Sequence, residues 1–253
     1  MTKNARPLLV GGANLYGHRI GILMVEGRFP RPPGAIGNSL SFEFPVLHHV
    51  VPGGTGEVVV RHASRLSAGS QQLQNVMAPW IAGAQELERQ GCRAITTSCG
   101  FAILFQAQLA AAVSVPVWSS SLLLGPFIER GLGRGKRLGI ITAEAAAITP
   151  RHLETAGIDP KGCAVIGMEG CSEFAATTWN DQPFMDFSRV EDEAVSVAQR
   201  LVSENPDLGA ILLECSLLPP YAAAIQRAAN LPVFDFTHLI KLMHDAMVRE
   251  PFS

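Results

Sequence analysis

Little of this chain is charged: Asp, Glu, Lys and Arg make up 17% of its 253 residues, and the formal net charge is −2. Both signs are spread along the whole length. No basic stripe therefore points to nucleic acid, and no polybasic or amphipathic run points to a membrane surface. The chain has only five cysteines. They are scattered, without the short spacings of a disulfide framework or a zinc site, so the expectation is a cytoplasmic protein with reduced thiols. Long apolar runs are also missing. The most apolar region, 101–127, is broken by Gln106, Gln108, Pro116 and a run of serines, and makes a poor membrane span. The first 12 residues lack a signal-peptide core and a small-residue cleavage pattern. What is abundant is apolar: 47% of residues are hydrophobic, a core-forming globular composition.

Short aliphatic runs alternate with longer helical segments. Strands are predicted over 19–24, 45–51, 93–98, 115–119, 137–142, 163–168, 210–214 and 231–235. Helices are predicted over 70–90, 101–113, 122–131, 149–156, 188–205, 221–229 and 237–249. Strands apolar throughout and separated by helices read as parallel sheet covered on both faces.

The chain also repeats itself. Ala94-Ile95-Thr96-Thr97-Ser98-Cys99 is followed by a helical segment and Val115-Pro116-Val117-Trp118. Ala210-Ile211-Leu212-Leu213-Glu214-Cys215 is followed by a helical segment and Leu231-Pro232-Val233-Phe234. The two cysteines are 116 residues apart, and so are the two prolines. Arg19-Ile20-Gly21-Ile22 likewise matches Arg137-Leu138-Gly139-Ile140, 118 residues on. The repeat predicts an α/β fold of two similar lobes. The first lobe covers 1–120, completed by a C-terminal helix at about 236–253, and the second covers 121–235. The boundary falls near 119–134, where Gly131 to Lys136 reads as an interlobe turn, because it precedes a strand instead of joining a strand to a helix.

Ligands of open parallel sheets bind beyond the carboxyl ends of the strands. Cys99 and Cys215 each sit at such an end, just before a helix. The free N–H groups and positive pole there favour a thiolate. Facing lobes would bring both thiols to one interlobe cleft, where one could take a proton from a carbon and the other return one to its opposite face. The neighbouring N–H groups could hold a carboxylate or enediolate. No metal or organic cofactor enters this scheme. His48, His49 and His62 have no matched third ligand, and no lysine sits in a Schiff-base context.

Thr97-Ser98-Cys99-Gly100 and Leu213-Glu214-Cys215-Ser216 resemble the two cysteine motifs of the aspartate/glutamate/hydantoin racemase superfamily, and the resemblance covers most of the chain. It implies two Rossmann-like lobes related by pseudo-twofold symmetry with the active site in the cleft between them, and an isomerase: a cofactor-independent racemase or epimerase with Cys99 and Cys215 as the acid/base pair, acting on an amino acid, hydantoin or related carboxylate. It also implies a dimer or larger homo-oligomer. Ser98, Gly100 and Ser216 become substrate contacts, with Thr142 at its strand end. Where the acidic amino-acid racemases have Asn-Thr after the first cysteine, this chain has Gly100-Phe101. Where they have Thr and a polar residue after the second, it has Ser216-Leu217-Leu218. The superfamily also holds malonate-type decarboxylases, which keep only the second cysteine, and maleate-type cis–trans isomerases, which keep both; these are the alternative activities. A non-catalytic ligand-binding module ranks last, since a binder needs no cysteine at both mirrored positions.

The loop 27–38 follows the first strand and should border the cleft, with Arg28, Arg31 or Asn38 meeting a substrate carboxylate; an ordinary proline-rich surface loop is the competing reading. Cys92, Cys163 and Cys171 read as buried bystanders. His152 reads as exposed, and His238 as a helix-start residue. Glu214 either tunes its neighbouring thiol or points away.

Overall fold

A computed structural model describes Gly12 and residues 15–249. Residues 1–11, read for a signal peptide, and 250–253, both assigned to the first predicted lobe, lie outside the described residues, as do 13 and 14. Among the described residues, eight strands form two four-stranded parallel sheets of identical topology. The first has the order β2-β1-β3-β4, from β1 (Ile20–Glu26), β2 (Val46–Thr55), β3 (Ala94–Thr97) and β4 (Val117–Trp118). The second has the order β6-β5-β7-β8, from β5 (Arg137–Thr142), β6 (Cys163–Gly167), β7 (Leu208–Leu213) and β8 (Val233–Phe234). The register repeats as well: Ile20 pairs with Ala94 as Leu138 pairs with Ala210.

The alternation of each strand sorts its side chains to two faces. Ile20, Ile22 and Met24 of β1, with Leu138 and Ile140 of β5, enter one core cluster shared by both sheets. Helices Gly125–Gly131, Pro150–Ala156 and Phe236–Met247 contribute Ile128, Leu153, Phe236, Leu239 and Ile240 to it. The last of these helices packs on β1 and β3, so it returns to the first sheet. The opposite faces carry separate cores. Leu23 and Ile95 pack under helix Gln71–Arg89, and Ile211 and Leu213 under helix Phe187–Glu204.

The repeated glycines have a packing cause. A Cβ at Gly21 would lie 2.9 Å from Leu87 Cδ1, and one at Gly139 would lie 3.0 Å from Leu208 Cδ1. In each lobe a Cβ there would crowd a leucine packed against the central strand.

Several helical segments escaped the sequence reading, two of them longer than one short turn. A π-helical turn covers Glu57–His62, and an eight-residue helix covers Ser172–Trp179. The predicted helix over 101–113 begins as a 3-10 run, Gly100–Phe105, before turning α-helical at Gln106. After Cys215 the chain makes a turn first, and helical structure starts only at Pro219.

Candidate functional site

The carboxyl ends of β3 and β7 meet across the lobe boundary. The Ser98 N–H donates to Leu23 O of β1 at 2.8 Å, and the Glu214 N–H donates to Ile141 O of β5 at 2.8 Å. Each cysteine-bearing end is thereby pinned to the central strand of its own sheet. Ser216 Oγ then donates to Ser98 O at 2.5 Å, joining the two loops directly.

Cys99 and Cys215 open into one cleft. Ser98, Gly100 and Ser216 line it beside them. The two serine hydroxyls are engaged in scaffolding: Ser98 Oγ accepts the Val25 N–H at 2.9 Å, and Ser216 Oγ is spent on Ser98. The walls are largely apolar and aromatic, with Met24, Phe29, Val60, Phe101, Trp179 and Leu217.

Thr142 and Asn38 do not line this cleft, in contrast to the sequence expectation. Thr142 is fully buried and reaches the site at second hand, its Oγ1 donating to Glu214 Oε2 at 2.6 Å. Asn38 is consumed by its own loop: Nδ2 donates to Arg31 O at 2.7 Å and Oδ1 accepts the Leu40 N–H at 2.9 Å. Of the loop arginines, Arg31 lines the cleft, while Arg28 turns away to Asp181. Arg31 is braced, donating to Val25 O, Gly27 O and Phe29 O and stacking 4.2 Å over the Phe29 ring.

His152, expected to be exposed, is fully buried. Its Nδ1 bonds Thr149, its Nε2 lies 3.2 Å from Ser64 Oγ, and burial pushes its pKa down to about 4. His238 stands half-exposed beside Asp235, outside the cleft.

The thiols are less acidic than strand-end placement predicts. The N–H groups of Phe101 and Ala102 at Cys99, and of Leu217 at Cys215, do pull the thiol pKa values down. Burial and the neighbouring Glu214 outweigh them, and both thiols are pushed well above the ordinary thiol range. Cys215 itself raises Cys99, so the two sulfurs interact.

Glu214 is completely buried, and burial raises its carboxyl from the ordinary 4.5 to about 7, against the opposing hydrogen bonds from Thr142 and the Ala143 N–H. The folded protein therefore binds a proton that the unfolded chain has released, and stability falls as pH rises from about 4.5 to about 7. Glu214→Gln is expected to remove about 3 kcal/mol of this pH dependence. Denaturant unfolding of both proteins at the two ends of that range checks it, and parallel pH profiles would refute it.

Helix Ser172–Trp179 supplies the outer wall that the sequence reading missed. Thr178 and Trp179 line the cleft, and Thr178 Oγ1 and Trp179 Nε1 are buried without hydrogen-bond partners among the described residues. Two latches tie this helix to the first lobe. Arg61 Nε meets Glu144 at 2.6 Å while its guanidinium stacks 4.1 Å over Trp179. Asp181 Oδ1 accepts the N–H groups of Arg28 at 2.6 Å and Phe29 at 3.1 Å. Among the described residues, no group of three or more His, Cys, Asp or Glu could hold a metal ion, and no helix is long and apolar enough to cross a membrane.

Solved structures share this architecture. An arylmalonate decarboxylase variant superposes with a TM-score of 0.58 at 16% identity, covering 91% of this chain and 94% of its own. Glutamate racemase from Bacillus anthracis gives 0.55 at 16%, covering 91% and 82%. At such identities the likeness establishes the fold. Sequence relatives carry a different activity. A dimethylsulfoniopropionate lyase of Durusdinium sp. clade D is 31% identical over 227 residues, covering 88% of this chain and 72% of that protein. Dimethylsulfoniopropionate lyase 6 of Emiliania huxleyi (strain CCMP1516) is 30% identical over 225 residues, covering 85% and 56%. The chain thus spans little more than half of the Emiliania relative. These relatives overturn the racemase expectation: the activity they are named for is that of a lyase, not an isomerase. Family and relatives together mark the protein as an enzyme. Residues 49–240 match the Asp/Glu/Hydantoin racemase model, and the chain belongs to that family.

Proposed function

We propose that the protein is a lyase that splits dimethylsulfoniopropionate into dimethylsulfide and acrylate. The observation that carries this reading is the cleft itself: two thiols and a carboxyl at the bottom of an apolar, aromatic-walled pocket. The substrate is a propionate with a dimethylsulfonium group on the carbon beyond the one that loses its proton. One thiol, as thiolate, takes that proton. The C–H electron pair becomes the carbon–carbon double bond, the carbon–sulfur bond breaks with its pair going to sulfur, and neutral dimethylsulfide leaves. Atoms and charge balance without a further reactant. The substrate has no stereocentre to invert, so a single base suffices.

The departures from the acidic amino-acid racemases fit the same substrate. It has neither an ammonium group nor a second carboxylate, and Phe101 and Leu217 stand where those enzymes keep polar residues. A methylated onium cation is held well by aromatic rings, and Phe29, Phe101 and Trp179 line the cleft. The direct test is incubation with dimethylsulfoniopropionate, reading dimethylsulfide in the headspace and acrylate in solution. A wild type that forms neither overturns the reading.

Trp179→Ala is expected to raise KM about tenfold with kcat little changed, the size of one cation–π contact, and Trp179→Phe to recover much of the loss. Steady-state kinetics decides this; an unaltered KM in Trp179→Ala removes the ring from sulfonium binding.

A further inference from the structure

Glu214 is the buried cleft group that the elimination leaves unused. Its two oxygens are treated unequally. Oε2 accepts from Thr142 Oγ1 at 2.6 Å, and the Ala143 N–H bonds the same carboxylate. Oε1 is buried with no partner among the described residues. Its space exists because residue 100 is glycine, since a Cβ there would sit 2.1 Å from Oε1. A bare, ionised oxygen buried beside two thiols is costly, whereas a neutral acid with its proton on Oε1 presents a donor to the cleft. Arg31, the other charged group lining the cleft, already donates to three main-chain carbonyls.

We propose that Glu214, as the neutral acid, donates its Oε1 proton to the carboxylate of a small bound monocarboxylate, so that the ligand and one proton bind together. This deepens the lyase reading and rests on it for the identity of the natural carboxylate. The titratable groups lining the cleft are Arg31 from the loop after β1, Cys99 from the end of β3, and Glu214 and Cys215 from the end of β7. Arg61 and Glu144 at the latch are paired with each other. In the cleft without substrate, burial keeps both thiols protonated near neutrality; a thiolate forms when the sulfonium cation of the substrate arrives beside it, and a propionate or acrylate ligand, which brings no cation, leaves Glu214 as the group that titrates there. An arriving carboxylate further favours its neutral form. By linkage, affinity for the carboxylate then weakens about tenfold per pH unit above neutrality.

The test is calorimetric titration of the wild type and Glu214→Gln with propionate and with acrylate, at several pH values and in two buffers of different ionisation enthalpy. The wild type should take up close to one proton at about pH 8.5 and lose affinity at the stated slope. Glu214→Gln should bind with no proton uptake and a flat pH profile, because its amide N–H donates without titrating. Wild-type binding without proton uptake overturns the proposal, and so does failure to bind either carboxylate; the wild-type proton count needs no variant. Uptake that persists in Glu214→Gln also overturns it. A wild type that shows the linkage but releases no dimethylsulfide sinks the lyase reading alone. One that releases dimethylsulfide but binds without a proton sinks the role of Glu214 alone.

Discussion

Cys99→Ser and Cys215→Ser are expected to depress dimethylsulfide release unequally. A serine hydroxyl cannot serve as the base near neutrality, and a positioned general base contributes about a hundredfold to ten-thousandfold. One variant should therefore fall by about a thousandfold in kcat. The other keeps the base and loses only its buried neighbour, and should fall by about tenfold. The inequality separates elimination from inversion: a two-base racemisation needs both thiols in every full cycle, while loss of dimethylsulfide needs one. Both substitutions are nearly isosteric, and neither sulfur makes a side-chain hydrogen bond that holds the two loops together. Those loops hang on Ser98 N–H to Leu23 O, Glu214 N–H to Ile141 O and Ser216 Oγ to Ser98 O. Both variants should therefore melt close to the wild type. Headspace measurement of initial rates with purified protein decides the matter, and full activity in both variants would remove the thiols from the reaction.

The scaffold was legible where one physical demand recurs in both lobes. Gly21 and Gly139 stand out in the sequence because each strand must admit a close-packed neighbour above it. Cys99 and Cys215 stand out because both sit where a central strand ends. The outer wall was not legible. Helix Ser172–Trp179 is too short to show a helical period, and Trp179 earns its place through Arg61 and the cleft, contacts set by a distant part of the chain. His152 looked like a surface residue at the start of a short helix. Its burial depends on Ser64, which lies 88 residues away and meets its second nitrogen. Thiol acidity was half legible: the N–H groups follow from local geometry, but burial and the reach of Glu214 follow from how the lobes close. Reaction class was not encoded in the cysteine spacing at all, because the same pair of strand ends serves one-base and two-base chemistry alike.

Gly100→Ala tests the geometry on which all of this depends. Residue 100 has no unusual backbone angle; its constraint is proximity. A Cβ there would lie 2.1 Å from Glu214 Oε1 and 2.6 Å from the main-chain oxygen of Glu214. The carboxyl can swing aside, but the carbonyl belongs to the main chain just after β7, which the Glu214 N–H pins to Ile141 O. The two cysteine loops would have to part, straining the bond from Ser216 Oγ to Ser98 O and widening the gap between the sulfurs. Overpacking of this kind costs about 1–3 kcal/mol. A misplacement near 1 Å at the reacting atoms costs about a hundredfold in rate. The expected variant is folded, melts several degrees lower, and releases dimethylsulfide at about 1% of the wild-type rate. Adding Glu214→Ala should not rescue it, because the carbonyl remains in the way. Thermal melts and initial rates on the single and double variants decide this, and a Gly100→Ala protein with wild-type melting and activity would mean that the lobes do not approach each other this closely.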